Sequence, residues 1–456
     1  MSEIDLSPLA VKLSGTAVGP ADDGWDAARQ AWNLVADQQP VAVVLAQGAD
    51  DVIATVDFAR ERGLRVAAQS TGHAAAAMSS LEDTVLLRTA GMAAVEIDAG
   101  SRRARVGSGA KWGDVNGHAA EHGLIGLSGS SATVGVTGYT LGGGFGWLGR
   151  AHGLAASSVQ AIEVVTADGG LVRADADNEA DLFWALRGGG GNFGAVTALE
   201  FSLYPYAEVY GGMIAWPAER GAEVFAAFNA WRREQPDEMS GWARFLTLPP
   251  FPEVPEPLRG VPVVDVTAAY AGPEAEGAEL MRPLFDLGDP IVDTFGTIPA
   301  TGLGTLAGDP VDPVPALGDG DLLAELPDEA LDALVGVAGP GSGSPLLMVQ
   351  LRPLGGALSR PSANGGATAH LDAELAVYSV GVAMDAESGA AAAAHVSKVR
   401  EALRPWSAKR RYLNFVDVSA PAAQSFDEAT FSRLRQVKSK YDPDGLFRAN
   451  HEVAPA

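Results

Sequence analysis

The sequence predicts an α+β chain, in which a strand-rich N-terminal domain is followed by an antiparallel sheet covered by helices. Three observations carry this reading. Residues 40–46 (PVAVVLA) form a continuous, largely β-branched run of the kind buried on both faces, and 64–68 add a second strand after one helical stretch. Two short apolar runs within 159–174 flank the turn Asp168-Gly169-Gly170, which is a hairpin signature. From about Ala207 onward, helical patterns alternate with strands of partial two-residue period, as in an antiparallel sheet covered on one face.

In chain order, Asp50 and Asp51 are placed to cap the first helix. Its apolar residues Val52, Ile53, Val56 and Ala59 keep helical spacing, and Gly63 ends it. With the strand at 64–68 this makes a βαβ unit. The turn after it, Gln69-Ser70-Thr71-Gly72-His73, stands where an α/β fold presents backbone amides to a ligand. Residues 83–106 read as short strands joined by turns, and 111–123 as a helix stopped by Gly123. A helix over 179–187 precedes Gly189-Gly190-Gly191-Asn192-Phe193-Gly194, and a strand over 195–203 follows.

Beyond Ala207 the helical patterns are 218–234, 273–287 and 386–404, and the strands include 262–270, 346–351 and 373–384. The Pro- and Gly-rich segments 249–260 and 309–345 read as surface loops or a lid. A helix over 427–440 and the turn-rich 442–450 close the chain and are expected to return to the first domain. The expected boundaries are 1–205, 206–404 and 405–456.

Composition narrows the function classes. A formal net charge of -25 repels nucleic acid and anionic lipid, so neither is an expected partner. No run approaches the roughly 20 apolar residues that span a bilayer, and residues 1–11 lack a basic, then apolar, leader pattern, so a soluble cytoplasmic protein is expected. The chain has no Cys, which excludes disulfides, thiolate nucleophiles, iron–sulfur clusters and Cys-based zinc sites. His118-Ala119-Ala120-Glu121-His122 fits an inverted zinc-peptidase pattern, but its helix is short and no second carboxylate helix follows. Surface histidines are the better reading, and no metal is expected.

Residues 127–149 (LSGSSATVGVTGYTLGGGFGWLG) are the most informative stretch. Small residues allow close approach of backbone to a ligand, and successive free N–H groups make an anion nest suited to a pyrophosphate. Interleaved Val134, Val136, Leu141, Phe145 and Trp147 indicate burial rather than a linker. Gly144–Gly149 and Gly189–Gly194 both fit G-x-G-x-x-G. Neither is expected to be a dinucleotide fingerprint, which needs a strand before the glycines and a helix after them.

Several of these motifs together, in order, resemble one family. Gly72-His73, Thr133-Val134-Gly135-Val136, residues 141–146, residues 182–194 (LFWALRGGGGNFG), Tyr412-x-Asn414, and Asp442-Pro443 through Asn450 are similar to the FAD-linked oxidases of the vanillyl-alcohol oxidase superfamily, in the berberine-bridge-enzyme-like branch. The similarity is strong over 35–205 and 405–455 and weak over 206–345. It implies a PCMH-type FAD-binding domain of two α/β subdomains, built from both ends of the chain, with a central substrate domain. It also implies FAD joined covalently to His73. The Cys that gives many relatives a second link is Ser131 here, so one bond at most is expected.

The same resemblance assigns the pyrophosphate to amides of Gln69, Ser70, Thr71 and Gly72 and of the segment Ser131, Thr133, Val134 and Gly135. Gly142, Gly143, Gly144 and Gly146 would lie close to the isoalloxazine, with Gly138, Tyr139, Gly194 and Val196 completing the flavin site. Gln69 replaces an Arg common in relatives, Val134 is small as in oxidases, and Asn450 would serve the pyrimidine end. Tyr412 would assist substrate deprotonation, given a local cation or a concerted transfer, Asn414 would position flavin or substrate, and His370 is a second candidate at a cavity-lining strand. The implied activity is oxidation of an alcohol, amine or related C–H of a small organic substrate, aromatic or polyketide-like, with molecular oxygen as acceptor. A tailoring reaction of secondary metabolism, or a non-catalytic ligand-binding homologue, stands as the alternative.

Overall fold

A computed structural model describes residues 4–78, 80–252 and 254–456, so residues 1–3 of the N-terminal start and Glu253 of the 249–260 loop lie outside it. The first sheet grows from the β-branched run. β1 (Thr16–Val18), β2 (Ala42–Leu45), β3 (Arg65–Gln69) and β4 (Thr84–Arg88) stand in the order β1-β2-β4-β3. β2 and β3 both run parallel to β4, so the expected βαβ unit forms with one strand inserted between its two. Ala42, Val43 and Val44 are wholly buried, as a strand covered on both faces requires.

The connecting helix, Ala49–Glu61, corrects one expectation. Gly48 is its cap, and no side chain caps it. Asp51 is buried instead, and its carboxylate accepts the N–H groups of Ser14 (2.7 Å), Gly15 (3.0 Å) and Gln47 (2.8 Å). Capping rules see only local spacing, whereas this carboxylate answers a demand from 36 and 37 residues away.

The second sheet contains β5 (Val95–Asp98), β6 (Arg103–Gly107), β7 (Val159–Val165), β8 (Leu171–Asp175) and β9 (Ala195–Ser202) in the order β5-β6-β9-β7-β8, antiparallel throughout. The hairpin β7–β8 is as expected. Helix Ala180–Leu186 precedes Gly189–Gly194 and β9 follows, which is the reverse of a dinucleotide fingerprint. Helix Trp112–Ala120 carries His118 on its exposed face, with Glu121 and His122 exposed just beyond its end. No group of three His, Cys, Asp or Glu among the described residues could hold a metal.

The third sheet comprises β10 (Glu208–Pro217), β11 (Met239–Thr247), β12 (Pro262–Tyr270), β13 (Val292–Asp293), β14 (Gly296–Pro299), β15 (Ala316–Leu323), β16 (Met348–Pro353) and β17 (Leu375–Val382). Its order is β13-β10-β12-β11-β16-β17-β15, with β14 also on β10. Helices Gly221–Trp231, Asp328–Ala338 and Ala386–Leu403 pack their apolar stripes on one face, against Ala243, Val264, Val266, Val349, Leu351 and Val377. Alternation sends Arg244, Asp265, Gln350, Arg352 and Tyr378 to the other face.

Segment 309–345, expected to be loop or lid, contains β15 and helix Asp328–Ala338. The strand ALGDGDLL reads as turns because of its Gly and Asp residues. A Cβ at Gly318 would lie 2.5 Å from the Tyr378 hydroxyl, and one at Gly320 would lie 3.0 Å from Phe415 Cβ. Asp319 is buried against Arg400 (3.0 Å) and Arg411 (2.6 Å), so tertiary contacts override the local preference.

At the C-terminus, Asp427 caps helix Glu428–Tyr441 by accepting the N–H of Thr430. The chain after it lies on the open edge of β3, where Val66 donates to Leu446 O (2.8 Å) and Arg448 donates to Val66 O (2.9 Å). Buried Lys438 pairs with Asp442 and donates to Asn192 O (2.7 Å) and Phe447 O (3.2 Å), fastening that return.

Candidate active site

One cavity of about 1870 Å³ connects the three parts. Ligand pockets of ordinary size are about 300–1,000 Å³. This one has room for a dinucleotide and a further molecule.

One end is made by the turn after β3 and by the Gly-rich stretch. Gln69, Ser70, Thr71, Gly72 and His73 line it, as do Ser131, Val134, Gly135, Gly138, Tyr139, Gly142, Gly194, Val196 and Asn450. Thr133, Gly143, Gly144 and Gly146, their neighbours in the chain, are not among the lining residues. Gly72 has a left-handed backbone (φ 86°), and a Cβ there would meet Ala31 Cβ at 2.8 Å. The hydroxyls of Ser70 and Thr137 are buried in this wall without a hydrogen-bond partner. Unpartnered buried hydroxyls facing a cavity fit a ligand rich in acceptor oxygens, as FAD is.

His73 stacks on Trp32, with ring centroids 3.8 Å apart, and its Nε2 is 3.2 Å from Thr133 Oγ1, which in turn is 2.9 Å from Ser131 Oγ. Burial lowers its pKa to about 4, against smaller opposing effects from Thr133 and Asp309, so the imidazole is neutral at ordinary pH. Gln69 is not without a cation: its β4 ladder partner Arg88 donates to Gln69 Oε1 (2.6 Å), while Gln69 Nε2 donates to Gln38 Oε1 (2.9 Å). Asn450 Nδ2 donates to Ala74 O (2.6 Å). That places it beside the His73 turn.

Tyr412 and Asn414 lie against the Gly-rich stretch. Asn414 Nδ2 donates to Tyr139 O (2.8 Å), and a Cβ on Gly142 would fall 1.7 Å from Asn414 Oδ1. Glycine is therefore demanded at position 142 by close approach. Tyr412 is buried against Phe145 and Phe415, and its hydroxyl, near the N–H groups of Gly144 and Phe145, completes no hydrogen bond of full geometry. Burial pushes its pKa well above the usual tyrosine range. The N–H groups of Gly144 and Phe145 and the charge of Arg352 oppose this without reversing it. Arg352 is thus the neighbouring cation; Arg411, the sequence neighbour, is held by Asp319 and Asp321. His370 does not line the cavity. It lies in the loop before β17, which starts five residues later at Leu375.

Residues that motif reading passed over lie on the sheet face. Tyr378 on β17 donates a short hydrogen bond to Asp417 Oδ2, and both line the cavity with part of their surface open to it. Burial raises the Asp417 carboxyl to about 7, and nearby Asp319 adds to this while Tyr378 and Arg411 oppose it. Across the ladder, Tyr378 pairs with Gln350, Gln350 with Arg244, and Arg244 with Asp265. The signal for this row was polar residues at alternating positions in strands otherwise apolar, as in MVQLRP and LAVYSVGV.

No helix among the described residues is long and apolar enough to cross a membrane. Residues 40–175 match the FAD binding domain family and residues 411–454 the berberine and berberine-like family. An uncharacterized FAD-linked oxidoreductase of Bacillus subtilis is 27% identical over 97% of this chain and 98% of its own length. (R)-6-hydroxynicotine oxidase of Paenarthrobacter nicotinovorans is 34% identical over 47% of each chain. The crystal structure of 6-hydroxy-D-nicotine oxidase from Arthrobacter nicotinovorans superposes with a TM-score of 0.85 at 24% identity, covering 99% of this chain and 100% of the other, and so shares the fold.

Proposed function

We propose, from the premise that this chain belongs to the berberine-bridge-like FAD-linked oxidoreductases, that it oxidises a C–H bond adjacent to an O–H or N–H of a small organic substrate. When bound, FAD supplies the two-electron acceptor, taking a hydride from carbon and passing the electrons to oxygen to give hydrogen peroxide. The protein's own residues bind, orient and move the proton.

Backbone amides of Ser70–Gly72 and Thr133–Gly135 would hold the pyrophosphate, and the Ser70 and Thr137 hydroxyls supply donors otherwise left unpaired. His73, neutral and held flat by Trp32, is the residue for a single covalent attachment, with Ser131 unable to form the second. Arg88 on Gln69 replaces the cation of relatives. Asn414, fixed by Tyr139 O, orients what lies against Gly142. Val134 keeps that wall small, in favour of oxygen as acceptor.

The observation that carries this reading is that one cavity is lined both by the His73 turn and by the hydrogen-bonded Tyr378–Asp417 pair. A carboxyl poised near neutrality is suited to accept the substrate's O–H or N–H proton, directly or through the Tyr378 hydroxyl. Tyr412, whose phenol burial keeps protonated, is assigned packing and orientation. The test is a substrate panel of alcohols and amines with the FAD-loaded protein. One peroxide per substrate oxidised, with kcat/KM rising through an ionisation near pH 7, supports the reading. Loading with FAD but no turnover or peroxide with any substrate would leave a binding homologue.

A further inference from the structure

Gln350 and Arg352 stand two residues apart on β16, so both side chains leave the same face of the sheet and line the cavity. Gln350 is 1% exposed, and neither its amide nitrogen nor its amide oxygen has a partner. Arg352 is 7% exposed. Its guanidinium carbon lies over the Trp242 ring, 3.6 Å from the centroid, and 5.1 Å from the centre of Phe415, and it makes no salt bridge among the described residues. Its Nε is buried without an acceptor. Arg244, the other cation of this face, differs in every respect: Asp265, Thr267 and Ala307 O satisfy it.

A buried amide with both ends open beside a buried guanidinium without a carboxylate costs stability unless a ligand completes it. Asp309 is the carboxylate whose charge acts on Arg352, but its Oδ2 accepts from Ser130 and it forms no ion pair with the guanidinium. The cavity mouth is different in character. Phe251, Val311 and Met384 line it and are 59%, 67% and 75% exposed, an apolar rim on a chain whose net charge is -25.

We propose that Gln350 and Arg352 form an anion-recognition site in the substrate half of the cavity, and that the substrate carries a carboxylate, enolate or phenolate oxygen on a largely apolar body. Arg352 donates to that oxygen in the plane of its guanidinium, backed by Trp242, and the Gln350 amide donates beside it. A cationic amine would meet a repelling charge here. A neutral polyol would leave the guanidinium unpaired and gain little from Phe251 and Met384. This inference rests on the flavoenzyme reading only for the word substrate, because the recognition itself belongs to the chain.

Calorimetry with 2-naphthoate and its neutral isostere 2-naphthamide tests it on the FAD-loaded protein. Charge-assisted hydrogen bonds predict naphthoate binding about tenfold tighter or more. Arg352→Gln is expected to bring the ratio to about one while leaving the affinity of the flavin for sulfite unchanged. Gln350→Glu, which supplies Arg352 with an internal carboxylate, is expected to do the same should the first variant fail to fold. Equal binding of the two probes to the parent protein would overturn the proposal, as would a preference that survives both substitutions. An Arg352→Gln protein that keeps the preference but changes its sulfite affinity would assign the cation to the cofactor instead. A chain that takes up no FAD would refute the flavoenzyme reading, and the naphthoate ratio would still decide this one.

Discussion

Replacing Asp417 by Asn separates the proton acceptor from the scaffold, because the isostere still accepts the Tyr378 hydrogen bond. The carboxyl is raised from 3.8 to about 7, chiefly by burial. A raised folded-state pKa means that the protonated group stabilises the fold at low pH, and that this advantage is lost as pH climbs from about 4 through about 7. At one pKa unit per 1.36 kcal/mol, the shift amounts to an upper limit of about 4 kcal/mol above neutrality. It is an upper limit because part of Asp417 is open to the cavity. Between about pH 5 and pH 8.5 the parent should lose roughly 2.5 kcal/mol relative to Asp417→Asn, or about 2–3 °C in melting temperature for a chain of this size. Melting of both proteins, FAD-loaded, across that range reads the difference. In the same variant kcat/KM should fall by about 10²-fold or more and lose its rise near pH 7. A constant stability difference between the two proteins at every pH, or a pH–rate profile the substitution leaves in place, would refute the reasoning.

Other substitutions probe separate parts of the account. Gly142→Ala puts a methyl where Asn414 Oδ1 stands, 1.7 Å away, so Asn414 must leave Tyr139 O; a loss of about 1–3 kcal/mol and fewer flavins per chain are expected, by melting and absorbance. Tyr412→Phe removes a buried hydroxyl that completes no hydrogen bond of full geometry, so stability should hold or rise by about 1 kcal/mol and the pH–rate profile should stay in place; a profile that shifts would return the proton to Tyr412. Asp319→Ala leaves buried Arg411 with Asp321 as its one carboxylate partner among the described residues, beside Gly320 O, and a loss of about 3–5 kcal/mol is expected in urea titration.

What the sequence could say depended on the range of the interaction involved. The βαβ unit, the β7–β8 hairpin and helix Glu428–Tyr441 are written in local periodicity and turn chemistry, and they form where expected. β15 was hidden because its Gly and Asp residues are explained by Tyr378, Phe415, Arg400 and Arg411, which lie 60 to 95 positions along the chain. Asp51 was read as a cap for the same reason. At the site, Gln69–His73 and Asn414 were visible because they sit in motifs of contiguous residues. The sheet-face row was not, since its members come from β11, β12, β16, β17 and the loop after Asn414 and meet only through strand register and the Tyr378–Asp417 hydrogen bond. Trp32 under His73 had no signal in sequence at all.

The most direct measurement of the central claim is the intact mass of the acid-denatured protein from flavin-replete cells, followed by peptide mapping. The account predicts one FAD per chain, retained after denaturation and carried by the peptide that contains His73. A chain of unmodified mass, or an adduct on any other residue, would contradict it.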